Sequence, residues 1–237
     1  MSDTYRAVPV EALDDVPLFP LSNVLLLPGV YLPIHIFEPR YRKMVEVALE
    51  VHELIALGAF DERLPPDVHG RPSIFDHAGL GLIQRSTRYP DGRFDLLIAG
   101  CGRLRVIEEF PPQFEIPYRR VRTELILDQT EATAVDLSRA MSSLRSLCTR
   151  VVVSLGDGNE ELRSRINEID EAGGLADTIA VAAVQEPDDR RRILAEPDPA
   201  RRIEIVSGVL GTLLLQQGGG EDDGGASPGW GVGSGVA

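Results

Sequence analysis

Apolar positions along this chain change rhythm twice. In the first rhythm they come in short runs. Leu25-Leu26-Leu27 closes on Pro28-Gly29, a turn signal. The stretch LPIHIFEPRYRKM (32–44) then carries an apolar run that stops at an acid, a proline and an arginine. Read as a strand, 31–37 puts Leu32, Ile34 and Ile36 on one side and Tyr31, Pro33, His35 and Phe37 on the other. Both sides are largely apolar, which predicts that both are covered. Pro33 cannot donate to a ladder, which predicts an edge or a bulge at that point. Pro39 suits the first turn of a helix, and Glu38 suits the positive end of its dipole. Met44, Val47, Ala48 and Val51 recur at helical spacing, predicting a helix that runs to near Gly58.

After a polar stretch at 61–78, rich in Pro, Gly, Asp and His and read as a long loop, the period becomes two. Tyr89-Pro90-Asp91-Gly92-Arg93 predicts a hairpin turn. Phe94, Leu96 and Ile98 alternate against Asp95, Leu97 and Ala99, and 103–106 and 119–122 alternate in the same way. Several short strands with one early helix predict a small curved sheet or partly open barrel. The rhythm turns helical at Asp128. Asp128-Gln129-Thr130-Glu131 has the letters of a capping box, and Val135, Met141, Leu144, Cys148, Val151 and Leu155 make one stripe. Asp157 is read as the cap of the next helix, which Gly173-Gly174 stops. Leu175 to Val184 predicts a further helix, and Pro187 and Pro199 each start another. Four or five helices with short connections predict a bundle.

The fold class read from these patterns is α+β: a β-rich curved sheet or pseudo-barrel with one helix, followed by a helical bundle. The expected divisions are a flexible arm at 1–14, the β-rich part at 15–127, the bundle at 128–217, and a disordered tail at 218–237. That tail, GGGEDDGGASPGWGVGSGVA, holds too little apolar surface to offset the entropy of ordering.

Composition narrows the partners. The 237 residues carry a formal charge of −13, which argues against nucleic acid and anionic membrane as binding surfaces. Cys101 and Cys148 form no metal motif and sit in apolar surroundings, so buried free thiols are expected. With no secretory pattern, and no uncharged run approaching the ~20 residues of a membrane span, a soluble cytoplasmic protein is expected. Lys43 is the chain's one lysine.

Four segments now stand in a telling order: Pro17-Leu18-Phe19-Pro20-Leu21, Leu27-Pro28-Gly29, Ile34-His35-Ile36-Phe37-Glu38-Pro39-Arg40-Tyr41-Arg42, and Asp91-Gly92-Arg93-Phe94-Asp95-Leu96-Leu97-Ile98-Ala99-Gly100. Together they resemble the N-terminal, substrate-recognition domain of Lon-type ATP-dependent proteases, most of all the short bacterial proteins that carry this domain alone. The resemblance covers roughly residues 15–215. It implies a compact β-rich subdomain followed by a helical one, and a role in binding unfolded or damaged polypeptides, with a protease or chaperone as a further partner. The ATPase and peptidase domains of that family lie beyond the region matched.

The residues agree with a binding role. A nucleotide-binding P-loop needs a Gly-Lys pair, and this chain has none. A catalytic lysine needs desolvation, whereas Lys43 stands among Arg40, Arg42 and Glu46 on a charged face. Asp67, His69, Asp76 and His77 match no metal spacing and are read as a polar loop, so no metal and no cofactor is expected. The strand-to-helix switch at Phe37-Glu38-Pro39 is the sharper candidate. Tyr31, Pro33, His35, Phe37, Arg40 and Tyr41 are the expected peptide-binding set, with aromatics giving area and the planar cation giving orientation. Glu38, Pro39, Arg42, Asp91 and Gly92 are expected to hold the motif together, Glu38 through a pair with Arg42 one turn on. An exposed apolar patch or groove, and an unpaired strand edge near Pro33, would serve an extended client. The alternatives are a peptidase, by family association, or a small-molecule sensor.

Overall fold

A computed structural model describes residues 8–22, 26–154 and 160–218. The described residues form two compact units, one up to Leu127 and one from Asp128.

The first unit contains strands β1 (Val16–Leu21), β2 (Tyr31–Ile36), β3 (Leu54–Phe60), β4 (Ile74–Arg88), β5 (Phe94–Glu109) and β6 (Arg119–Ile126), with helix α1 (Pro39–Val51) between β2 and β3. β1 pairs with β3 in parallel and with β6 antiparallel, while β3–β4, β4–β5 and β5–β6 are antiparallel. Those five pairings close a ring, the pseudo-barrel expected. β2 lies outside it, hydrogen-bonded antiparallel to the first half of β5. One apolar cluster draws on all five ring strands, through Val16, Leu18, Ala56, Leu80, Cys101, Leu104 and Val121. A second joins α1, through Tyr41, Met44, Val45 and Ala48, to Ile36, Ile55, Leu57, Ile83, Phe94, Leu96 and Ile98.

Several boundaries differ from the sequence reading. Of the arm expected at 1–14, residues 8–14 are described. Val10–Leu13 makes a 3-10 turn whose Ala12 and Leu13 are buried, and the Thr123 hydroxyl donates to the Leu13 carbonyl at 3.1 Å. The first helix ends at Val51, not near Gly58. Glu53 takes a positive φ of 59° and turns the chain into β3. The run LIALGAF is buried over its first five residues, so it shows no alternation to separate it from a helix. The long loop stops at 73. The Arg71 guanidinium pairs with Asp67 and Glu109, and Arg119 donates to Glu109 and to the Pro72 carbonyl, which fastens the loop to β5 and β6.

Glycines admit a neighbouring segment to the barrel wall. A Cβ on Gly79 would stand 2.1 Å from the Leu26 carbonyl oxygen, and one on Gly100 would stand 2.0 Å from that of Leu27. Buried Leu26 and Leu27 depend on that access.

The second unit holds α2 (Ala134–Ser154), α3 (Glu160–Glu168), α4 (Ala172–Ala183), α5 (Pro187–Ala195) and α6 (Pro199–Gly218). Met141, Leu144, Cys148 and Val151 face inward as the stripe predicts, whereas Val135 is exposed. The cap of α2 is Thr133, whose Oγ1 accepts from the Asp136 amide at 3.2 Å, and not the box at Asp128. Asp128 instead grips Arg202 of α6, at 2.8 and 2.6 Å. Arg202 is fully buried, with the buried Asp177 of α4 at 3.4 Å and the Glu196 carbonyl at 2.9 Å. Gly173 lies inside the first turn of α4 and does not end a helix. A Cβ there would meet Arg202 at 2.4 Å and Asp128 at 2.5 Å. Asp157, Leu155 and the expected tail from 219 lie outside the described residues. Both cysteines are buried and free. Burial pushes the Cys101 thiol up to about 12 and the Cys148 thiol up to about 11.

Two outcomes follow from this packing. Gly100→Ala should lose about 1–3 kcal/mol or more by forcing backbone against backbone, read as a lower chemical-denaturation midpoint. Arg202→Met should lose about 3–5 kcal/mol by leaving Asp177 buried without its cation, and Arg202→Met/Asp177→Leu should recover part of that loss. Equal stability of the single and double variants would contradict the buried-charge account.

Candidate functional site

The site is built from the alternation of β2 and β5. Leu32, Ile34 and Ile36 pack toward α1, so Tyr31, Pro33 and His35 lie on the opposite face. In register across β5 stand Ala99, Leu97 and Asp95, and beyond Leu97 and Asp95 come Arg85 and Thr87 of β4. Tyr31 and Phe37 are each 49% exposed. Pro33 and Arg85 are also exposed, while Leu97 is half-buried. Apolar and aromatic side chains therefore stand in water along one side of a three-stranded ribbon.

A polar cluster sits at the end of that face. His35 Nδ1 lies 2.6 Å from Asp95 Oδ1, and the Tyr89 hydroxyl donates to the other Asp95 oxygen. His35 Nε2 faces Arg93 Nη1 at 3.5 Å, and Arg93 Nε donates to Asp91 at 2.7 Å. The Arg93 guanidinium lies 5.8 Å from the Tyr89 ring, and the Phe37 ring lies nearly parallel to that of His35 at 6.4 Å. The hydrogen bonds from His35 and Tyr89 hold the Asp95 carboxyl below its ordinary range. The Tyr89 phenol is raised by donating to Asp95.

The expected set divides. Tyr31, Pro33, His35 and Phe37 share the outward side. Arg40 is exposed but engaged, its Nε donating to Glu38 at 2.9 Å and its guanidinium lying 4.6 Å from the Tyr41 ring. Tyr41 is 9% exposed and packs on Phe19 with ring centroids 4.4 Å apart, so it belongs to the core and not to the surface. Glu38 pairs with Arg40 and not with Arg42. Arg42 reaches across to the hairpin and donates to the Asp91 carbonyl at 2.8 Å. Gly92 has φ +85°, and a Cβ there would lie 3.1 Å from Arg42. Asp91 caps the turn by accepting from the Arg93 amide at 3.1 Å. Pro39 starts α1 as expected. Tyr89, Arg93 and Asp95 complete this cluster and lie outside the expected set, although the hairpin alternation sets Asp95 on the face opposite Phe94, Leu96 and Ile98. In the polar loop, Asp67 accepts from the His69 amide and from Arg71, whereas Asp76 and His77, read as loop, stand on β4, with His77 2.8 Å from Asp76. Burial alone would raise Asp67, but the bonds from Arg71 and the His69 amide bring it down to about 2.

Two of the four segments that carry the resemblance thus meet, through Arg42 and the turn at Asp91-Gly92. Residues 15–211 match the family described as the ATP-dependent protease La (LON) substrate-binding domain. The chain belongs to this family. The Lon protease of Dictyoglomus thermophilum is 28% identical over 195 residues, covering 82% of this chain and 24% of that protein. Lon protease 2 of Sorangium cellulosum is 28% identical over 215 residues, covering 88% and 26%. The chain therefore spans about a quarter of the length of these relatives. Among solved structures, the N terminal domain of Mycobacterium avium complex Lon protease shares the fold at a TM-score of 0.64 and 16% identity, covering 84% of this chain and 98% of that one. The Lon N-terminal domain protein from Xanthomonas campestris does so at 0.57 and 20%, covering 80% and 95%. What matches is the substrate-binding, non-catalytic domain of the Lon family. Among the described residues no helix is long and apolar enough to cross a membrane.

The Asp95 pairing has a checkable acid limit. Its folded-state pKa is depressed, so its contribution to stability is fully present above the ordinary aspartate value of about 3.9 and is lost as pH falls through the lower folded value. A carboxyl-detected NMR titration should find Asp95 below the ordinary range in this chain and closer to it in His35→Ala. An identical curve in the variant would mean the imidazole does not hold the carboxylate.

Proposed function

We propose that this Lon substrate-binding domain holds unfolded or hydrophobic polypeptide without catalysing a reaction on it, and serves as a recognition module or adaptor in ATP-dependent proteolysis or protein quality control. The observation that carries the reading is the exposed aromatic side at β2, with Tyr31 and Pro33 on the strand, Phe37 just past its end, and half-buried Leu97 in register with Pro33. Aromatic rings offer large contact area at small entropic cost, and anchors of this kind dominate interface energies. The ion pairs around the patch (Glu38–Arg40, Asp91–Arg93) neutralise one another, which leaves apolar contact as the main attraction. Residues up to Leu127 hold 14 basic and 18 acidic side chains, and the remainder hold 10 and 19. That balance disfavours nucleic acid as the ligand.

The alternatives find less support. A peptidase of the Lon kind needs a desolvated lysine, and Lys43 is exposed on α1. A sensor holding a small molecule in the barrel would need interior space, and side chains from all five ring strands pack there. An open hollow of about 340 Å³, bordered by Val47, Val51, Ile116 and Tyr118, is a rival place for a client side chain.

The test is titration with a reduced, permanently unfolded model protein. Binding should be in the micromolar range, as expected when the client loses entropy on ordering. Tyr31→Ala/Phe37→Ala should weaken it about tenfold or more, as loss of two anchors would. Tyr41→Phe, at a buried position, and Val47→Asp, at the rival hollow, should leave it unchanged. Absence of binding at tens of micromolar by a folded sample would overturn the reading.

A further inference from the structure

The outer edge of β2 has a defined pattern of backbone donors and acceptors. Two hydrogen bonds fix that pattern independently. The Gly100 amide donates to the Val30 carbonyl at 2.7 Å. Alternation in an antiparallel ladder then makes Leu32·Ile98, Ile34·Leu96 and Ile36·Phe94 the bonded pairs. At the other edge of β5, the Tyr89 amide donates to the Arg93 carbonyl at 2.8 Å. That bond continues through Thr87·Asp95 and Arg85·Leu97, so Asp95 and Leu97 point their backbone groups at β4, and Phe94, Leu96 and Ile98 point theirs at β2. Both routes agree. The backbone groups of Tyr31, Pro33 and His35 point away from β5, and among the described residues β2 has no other ladder partner. Pro33 brings no N–H. The edge therefore offers carbonyls at 31, 33 and 35 but amides only at 31 and 35.

We infer that this edge takes up an extended segment of another polypeptide as an added strand, and that Pro33 makes the edge favour such a client over a second copy of the same chain. The inference rests on the polypeptide-binding reading above and specifies how the client is held. A client residue opposite Pro33 still donates its amide to the Pro33 carbonyl, and only its own carbonyl lacks a donor. Two β2 edges meeting about a two-fold axis at Pro33 would lose both central bonds, because neither copy has the donor. Pairing with a client thus forfeits one bond where self-pairing forfeits two. Side chains of the added strand would alternate between the two faces of the ribbon. One set would lie beside Tyr31, Pro33 and His35, and the other beside partly buried Leu32 and Ile34. Both sides reward apolar residues, so the ligand class is a short extended aliphatic or aromatic segment with free backbone amides.

The experiment uses the full chain and a soluble ten-residue peptide of alternating Val and Thr with a lysine at each end. Two further peptides carry N-methyl groups on one or the other alternate set of amides. One N-methylated peptide should bind at least tenfold more weakly than the parent, and the other should bind within about twofold of it. Pro33→Ala, which restores a donor, should tighten the parent peptide about fivefold, the gain of one net hydrogen bond, and should raise self-association in sedimentation. Equal binding of all three peptides would overturn strand addition while leaving side-chain-mediated recognition in place. If neither these peptides nor the unfolded model protein bind, both readings fall together. Weaker binding by Pro33→Ala would overturn the role given to the proline.

Discussion

Strand β5 is sixteen residues long, and its second edge must be satisfied by more than one partner. β4 covers one edge from Phe94 to Arg105. The other is shared, with β2 against Phe94–Ala99 and β6 against Arg103–Glu109. Buried backbone groups left unpaired are costly, so this division has consequences elsewhere. β6 closes the ring. β2 satisfies the first half of β5 and, lying outside the ring, keeps its own far edge unpaired. The changeover falls at Gly100 and Gly102, and the absence of a side chain at Gly100 is what lets the 26–27 backbone enter beside it. The open edge is thus a by-product of closing a barrel with a strand longer than its partner.

The position of that edge is fixed from behind. α1 packs its inward residues against β2, β3 and β5, and Arg42 ties the first turn of α1 to the β4–β5 hairpin at Asp91. Rotation of the hairpin would carry Tyr89, Arg93 and Asp95 away from His35. The residues that made the chain recognisable are for the most part those that hold the surface in place, while the residues in contact with water on it, Tyr31, Pro33 and Phe37, are simpler in chemistry. A single buried arginine plays the corresponding part in the helical unit, where Arg202 joins α4, α6 and the segment at Asp128.

The sequence was most legible where a residue has one physical use. Pro39, Pro187 and Pro199 start helices, Gly92 sits at a positive φ, and Pro33 lies on an edge. It was least legible where burial erases the period. β3 is enclosed on both faces, so nothing in LIALGAF separates it from a continuing helix except the turn at Glu53, and a glutamate with positive φ gives no warning in the letters. Capping chemistry misled for a related reason. Asp128 has the form of a helix cap, but its partner is Arg202, 74 positions away in the chain, and no local rule reads such a contact. Tyr41 has the same ambiguity. An aromatic ring next to exposed arginines suits a binding face, and only the close approach of Phe19 makes it core.

Pro33 is where folding and function constrain each other most. Edge strands invite pairing with any exposed backbone, and proteins commonly blunt them with proline or charge. A β2 edge with all three amides would hold an extended client more tightly, but it would also pair with itself and with partly folded neighbours. A heavily charged edge would resist both. Proline at the centre gives an intermediate solution, since it removes a donor without removing an acceptor and leaves the aromatic side chains in place. The cost falls unequally, once on a client and twice on a self-pair. Discrimination of this kind needs no specific side-chain readout, which fits the proposed client, an unfolded or hydrophobic polypeptide.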